Sequence, residues 1–222
     1  MQTVTNYYEL KQDNYYSSLR SEMLDFLPKN AQTFLDVGCG TGVFGSAIKK
    51  IKNNAIVDGI ELMPEAASQA KNILDQVWQG DITELLSQVP DGKYDCITFN
   101  DVLEHLTDPY ELLKKIKSKL SPQGVIVSSI PNVRYFRVLR DLIFKKDWEY
   151  VDSGILDKTH FRFFTKKSIL RMFDESGYEV ERCEGISKTK SLRPYFYRFF
   201  TLGAFDKETM YLQFASVVKP RR

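Results

Sequence analysis

Cysteine, histidine, long apolar runs and net charge are all scarce in this chain, and each shortage narrows the reading. Only Cys39, Cys96 and Cys183 occur among 222 residues, with no C-x-x-C pair, so they read as reduced thiols in a cytosolic protein. No apolar run approaches the ~18 residues of a membrane span. Met1 to Leu10 has no basic stretch leading into an apolar core, so neither insertion nor export is expected. The formal net charge is +2; with no recognised binding module beside it, that balance argues against nucleic acid. There are 2 histidines, His105 and His160, so the choice of a base matched to neutral pH is short. No repeat period or low-complexity segment is visible.

What is present is an ordinary globular composition, 43% hydrophobic and 27% charged. The length suits one α/β domain over residues 1–222, with room for an insertion. Its organising stretch is Phe34-Leu35-Asp36-Val37-Gly38-Cys39-Gly40-Thr41-Gly42. The apolar run Thr33 to Val37 reads as a buried strand. It leads straight into three alternate glycines, where the main chain can take positive φ and a ligand can come close. Val43 to Ile51 then reads as a helix whose free amides face back over the turn. This is the pattern of a nucleotide-like ligand at the carboxyl end of the first strand of an open sheet.

A dinucleotide fingerprint, G-x-G-x-x-G, would need glycine where Val43 stands. Asp36, two residues before the first glycine, sits badly beside a pyrophosphate but well beside a cation. On these residues the stretch resembles motif I of the class I S-adenosylmethionine-dependent methyltransferases. The resemblance implies S-adenosylmethionine as cofactor, S-adenosylhomocysteine as product, no metal, and contacts from Asp36, Gly38, Cys39, Gly40 and Gly42. It also implies a Rossmann-like, doubly wound, seven-stranded, mostly parallel sheet with a terminal antiparallel hairpin, a helical N-terminal leader and a cap insertion.

Glu61 follows Gly38 by 23 residues, the separation at which a strand–helix–strand unit returns an acid to a ribose; Leu62 and Met63 adjoin it. Asp81 followed by Ile82 matches the family's contact to the adenine amine and ring, while a helix N-cap is the other reading of Asp81. Asn100, at the end of the fourth strand, completes the set. From Asn14 to Leu27 the apolar spacing reads as a helix, a lid within residues 1–30. There Tyr16, like Tyr7, Tyr8 and Tyr15, would face the sulfonium through a cation–π contact or simply pack.

Further strands are expected from Ala55 to Glu61, Val77 to Ile82, Tyr94 to Asn100, Val125 to Ile130, Tyr178 to Ile186 and Tyr211 to Val218. Helices are expected from Pro64 to Leu74, Ile82 to Val89, Asp108 to Leu120 and Lys166 to Glu175. The alternation favours a parallel sheet. The last two strands, joined through 187–210 without a long regular helix, suit the terminal hairpin. Residues 131–164 break the alternation, and from 131 to 171 there are 10 bases against 5 acids.

Methyl transfer to a hydroxyl needs an acceptor held in line and a group to take its proton. Asp157-Lys158-Thr159-His160-Phe161-Arg162-Phe163-Phe164-Thr165 resembles a segment in a branch of the family acting on sugars, glycan precursors and small hydroxylated metabolites. His160 is therefore the expected base and acceptor contact, the other reading being that it only pins the insertion. Arg162 would hold an acidic group or the loop itself. His105 and Asp101 are further catalytic candidates, against packing for His105 and an N-cap for Asp101; Glu104 is another acid in reach. Tyr135 and Arg134 join the acceptor site. The basic, aromatic surface of the insertion and of 188–200 would receive a phosphorylated or nucleotide-linked sugar, or serve as a hydrophobic cap or a homodimer interface. Three other functions remain open: an N-methyltransferase on an amino sugar or amine, a nicotinamide-dependent oxidoreductase, and a non-catalytic cofactor-binding subunit.

Overall fold

Strand β1 (Thr33–Val37) is buried from Phe34 to Val37 because both of its faces are covered, and its one acid, Asp36, is buried with the rest. Successive side chains point to opposite sides of a sheet, so Phe34 packs into one half of the core while Leu35 and Val37 pack into the other. The computed structural model describes residues 19–200 and 205–221. After β1 come helix α1 (Val43–Ile51), β2 (Ile56–Glu61), α2 (Pro64–Ala70), β3 (Gln76–Gln79) and the single turn α3 (Ile82–Leu85). Next are β4 (Tyr94–Asn100), α4 (Pro109–Ile116), β5 (Leu120–Pro131), α5 (Phe136–Arg140) and α6 (Lys166–Glu175). The chain closes with β6 (Tyr178–Lys188), α7 (Arg193–Phe200) and β7 (Tyr211–Pro220).

The strands form one 7-stranded sheet in the order β3-β2-β1-β4-β5-β7-β6. β1 pairs in parallel with β2 on one side and β4 on the other, and the connections run outward in opposite directions from that point. Such a switch leaves a crevice at the carboxyl ends of the central strands. β7 runs antiparallel to both β5 and β6, the expected terminal hairpin. No helix among the described residues is long and apolar enough to cross a membrane.

Local chemistry sets the helix ends. Asp108 accepts from the Glu111 amide at 3.0 Å and Pro109 takes the first position of α4, where its missing N–H costs nothing. Thr165 and Ser168 form a reciprocal capping box on α6, and Gly177, at φ +77°, turns the chain out of it.

Several expectations change. The leader helix from Asn14 is described only from Leu19 onward, where a 3-10 helix, Ser21–Phe26, takes its place. Its i, i+3 spacing buries Met23 and Phe26 together, and the Arg182 guanidinium lies 3.9 Å from the Phe26 ring centroid. Helix α2 stops at Ala70 rather than Leu74. The connection 187–210 carries the short α7 and, as expected, no long helix among its described residues, with Phe196 and Phe199 exposed.

The segment 131–164 carries the short helix α5 and little other regular structure. α5 continues as a π-helical turn, Asp141–Lys145, and the rest is loop tied down by backbone bonds. Fully buried Asn132 donates from Nδ2 to the carbonyls of Glu208 and Tyr211, both at 3.0 Å, and accepts from the Arg134 amide at 3.0 Å. Replacing Asn132 with alanine strands two part-buried carbonyls and an amide. A loss of about 1–3 kcal/mol is expected, seen as a lower urea midpoint at unchanged slope.

Candidate functional site

The turn after β1 combines three glycines at positive φ with hydrogen bonds to the end of β2. Gly38, Gly40 and Gly42 have φ of +73°, +54° and +85°. A Cβ on Gly38 would stand 2.6 Å from Val102 Cγ2, so even a methyl group is excluded. The amides of Gly38 and Cys39 both donate to the Ile60 carbonyl, at 2.8 and 3.1 Å, drawing the turn onto the end of β2. Glu61 then accepts from the Gly40 amide at 2.8 Å through Oε2 and from the Met63 amide at 2.9 Å through Oε1. Each oxygen has room for a second donor. Glu61 is therefore both a wall of the site and a staple across two strand ends.

Asp36 lies 2% exposed beneath this turn, accepting from Thr98 Oγ1 at 2.6 Å; the two residues are register partners on β1 and β4. Burial pushes its carboxyl up to about 7, Thr98 pulls it partly back, and the charge of Glu61 adds to the rise. Glu61 is raised by burial as well, against the pull of the amides of Met63 and Gly40. Two acids that resist ionising alone make a wall that favours a cationic ligand.

These groups face a cavity of 1520 Å³ over the carboxyl ends of β1, β2 and β4, above the roughly 300–1,000 Å³ of an ordinary ligand site and so roomy enough for a cofactor and a second molecule. Asp36, Gly38, Cys39, Gly40, Glu61, Leu62, Met63, Asp81, Ile82 and Asn100 all line it. Both polar atoms of the Asn100 amide are buried with no hydrogen-bond partner, an unmet demand that a ligand would fill. Asp81 does cap α3, accepting from the Thr83 amide and hydroxyl at 2.7 Å each, both on Oδ1. Gly42 departs from the expected set: it is outside the lining, and its bare Cα lets α2 approach, a Cβ there falling 3.3 Å from Ala70 Cα. Tyr16 lies outside the described residues.

The facing wall comes from widely separated segments, including Arg20, Asp101, His105, Leu106, Asp157, Lys158, Thr159, Phe161 and Gln213. Asp101 adopts φ +56° and caps no helix, the short turn Leu103–His105 being preceded by Val102. Its carboxylate pairs with the Arg20 guanidinium and accepts from Gln213 Nε2 at 2.6 Å and Ser129 Oγ at 3.2 Å. A carboxylate so occupied anchors the wall and is poorly placed to take a proton. Nothing in sequence spacing signals Arg20 or Gln213; they meet Asp101 only because the chain before β1 and the last strand both pass this edge.

The other acceptor-side expectations change too. His160 is buried behind the wall, outside the lining, with its ring 4.5 Å from that of His105; His105 is the histidine that reaches the cavity. The backbone ties this stretch down, Phe161 and Arg162 both donating to the Glu104 carbonyl at 3.0 and 3.1 Å. Arg162 binds the Thr107 carbonyl through Nε at 3.1 Å and Nη2 at 2.5 Å, holding the loop. Arg134 pairs with Asp206 and Glu208 at 2.9 and 3.3 Å, and Tyr135 stacks edge-on with Phe136; neither reaches the cavity. Glu104 is 1% exposed, and burial followed by the charge of Asp101 lifts its carboxyl well above the ordinary range, with Arg20 pulling the other way.

Comparison with known proteins agrees with this geometry. A family model described as "Methyltransferase domain" matches residues 8–182. The ubiquinone biosynthesis O-methyltransferase of Coxiella burnetii (strain RSA 493 / Nine Mile phase I) is 30% identical over 149 residues, 64% of this chain and 61% of that protein. The mitochondrial protein of that name from Saccharomyces cerevisiae is 27% identical over 187 residues, 77% of this chain and 58% of its own length. The chain thus spans about three fifths of these relatives. Among solved structures, a SAM-dependent methyltransferase from Archaeoglobus fulgidus superposes with a TM-score of 0.63 at 19% identity, covering 95% of both chains. A Haloferax volcanii putative methyltransferase, in complex with the Trm112 activator, gives 0.65 at 14% identity, covering 98% of this chain and 95% of that one. The chain belongs to the methyltransferase-domain family and carries the fold of S-adenosylmethionine-dependent methyltransferases.

Proposed function

We propose that this domain binds S-adenosylmethionine along the glycine wall and transfers its methyl group to a hydroxyl oxygen of a small acceptor on the facing wall. The observation that carries the reading is the joined set of glycine turn, Glu61 staple and Asn100 amide around one cavity. The remaining acceptor positions of Glu61 suit ribose hydroxyls, the Asn100 amide suits the amino-acid part of the cofactor, and Asp81 and Ile82 suit the adenine. Asp36, beneath the turn, offers negative charge to the sulfonium end.

An acceptor lone pair forms the new C–O bond while the C–S bond breaks and its electrons remain on sulfur, which becomes a neutral thioether. The acceptor proton leaves toward the wall that holds His105. Holding the reactants in line and dry supplies on the order of 7–11 kcal/mol toward such a step.

A phenolic hydroxyl fits this cavity better than a sugar phosphate. The cations that line it are paired with acids: Arg20 with Asp101, Lys115 with Glu111 and Lys158 with Asp152. Leu106, Leu112, Phe161 and Leu212 supply apolar surface. The relatives whose names specify O-methylation in ubiquinone biosynthesis support an oxygen on an aromatic ring. With Arg134 and Arg162 engaged elsewhere, the phosphorylated-glycan reading loses two of the bases it drew on.

Transfer of labelled methyl from S-adenosylmethionine to catechol and phenol acceptors is expected, with little to nucleotide sugars or amines. Transfer confined to sugars or amines would overturn the acceptor class, and calorimetry showing no binding of either cofactor form would overturn the reading itself.

Glu61→Gln is expected to weaken S-adenosylmethionine tenfold or more, the equivalent of about 1.4 kcal/mol for charge-assisted bonds to ribose. Because Asp36 is held neutral below about 7 and a cation favours its charged form, affinity for S-adenosylmethionine relative to the uncharged-sulfur product should rise with pH through that value. Asp36→Asn should flatten the ratio. Without cofactor, stability should fall as pH climbs from 3.8 to about 7, since the unfolded chain gives up a proton that the folded one keeps; urea titration of Asp36→Asn should lack this component.

A further inference from the structure

Glu104 presents a demand that the protein itself does not meet. Its side chain is 1% exposed, and neither carboxylate oxygen has a hydrogen-bond partner. A buried carboxylate is ordinarily paired, hydrogen-bonded or bound to a metal. Beside it stand His105 and His160, and one ligand atom from each of the three lies within 4.8 Å of the others.

Each imidazole is anchored through one of its ring nitrogens. His105 Nδ1 is 3.1 Å from the Thr159 carbonyl and His160 Nδ1 is 2.9 Å from the Ile155 carbonyl. A carbonyl only accepts, so each Nδ1 carries a proton, and in the neutral ring Nε2 then holds the lone pair. A carbonyl on one ring nitrogen is the usual second partner of a histidine that ligates through the other. The two backbone bonds to the Glu104 carbonyl from Phe161 and Arg162 lock the two segments together.

We propose that Glu104, His105 and His160 form a binding site for a divalent transition-metal cation at the acceptor wall. Ligand atoms at ~2.0–2.2 Å from one ion stand at most ~4.4 Å apart, so the cluster needs to contract by only a few tenths of an ångström. Two imidazoles with one carboxylate suit zinc, cobalt or iron(II) and are ill suited to magnesium, which prefers oxygen. His105 lines the cavity, giving the ion a route in and an open coordination side toward the acceptor. If the proposed methyl transfer holds, the acceptor class becomes a pair of adjacent hydroxyls, as in a catechol: both oxygens would reach the ion, which lowers the pKa of a bound hydroxyl.

Full-length protein, dialysed against chelator, is titrated with cobalt(II) and followed by calorimetry and visible absorption. One equivalent should bind with a dissociation constant below about 10 µM and develop ligand-field bands, and zinc should displace it. Glu104→Gln and His160→Ala should each weaken binding 100-fold or more while leaving S-adenosylmethionine affinity unchanged; that unchanged affinity shows that the variants fold. Absence of a cobalt complex in the wild type, or a complex that survives both substitutions, overturns the site. Because metal and cofactor are titrated separately, failure of cofactor binding with cobalt binding intact would count against the methyltransferase reading alone.

Discussion

The bond from the Gly40 amide to Glu61 is the constraint on which the cofactor wall depends. It joins the end of β1 to the end of β2 at the point where both strands leave the sheet. With the paired donations of Gly38 and Cys39 to the Ile60 carbonyl, it bends the chain through positive φ and sets where α1 begins. The turn is rigid because neighbouring strands supply its hydrogen bonds. It is glycine-rich because Val102 leaves no room for a side chain at Gly38. Placement of Asp36 below and of Asn100 across follows from the parallel register of β1 with β4.

The opposite wall is assembled differently. It is built mainly from loops pinned to one another and to the start of β7: Glu104 receives two amides from residues 161 and 162, Asp157 folds Thr159 back by bonds of 2.9 and 2.8 Å, and Asp101 gathers Arg20, Ser129 and Gln213. The antiparallel placement of β7 against β5 brings Gln213 to this edge. A wall made of paired groups is stiff where it anchors, and the buried Glu104 carboxylate stands out against it as a group whose oxygens have no hydrogen-bond partner.

Electrostatically the cavity is a place where charge is expensive without a ligand. Asp36, Glu61 and Glu104 are all raised by burial, so in the empty domain each loses stability on ionising. A sulfonium near the first two, or a metal cation at the third, reverses that preference. The same burial that burdens the empty fold therefore supplies selectivity for positive ligands.

Much of this was legible in residue order. The apolar run into Gly38, Gly40 and Gly42, the acid at Glu61 and the alternation of strands and helices are local or periodic signals, and backbone sterics with hydrophobic burial act on them directly; β1, α1, α6 and the terminal hairpin follow from them. Residue order alone did not decide which side chains face the cavity on the acceptor side. Arg134, Tyr135, His160 and Arg162 carry suitable chemistry, yet their orientation is set by partners far away in sequence: Asp206 and Glu208 for Arg134, the Thr107 carbonyl for Arg162. Likewise Arg20 and Gln213 became partners of Asp101 only through the strand order. Pattern along the chain determines which elements form; direction of a side chain in a loop depends on which distant donors and acceptors the packed sheet brings within 3 Å, and that is a property of the tertiary structure alone.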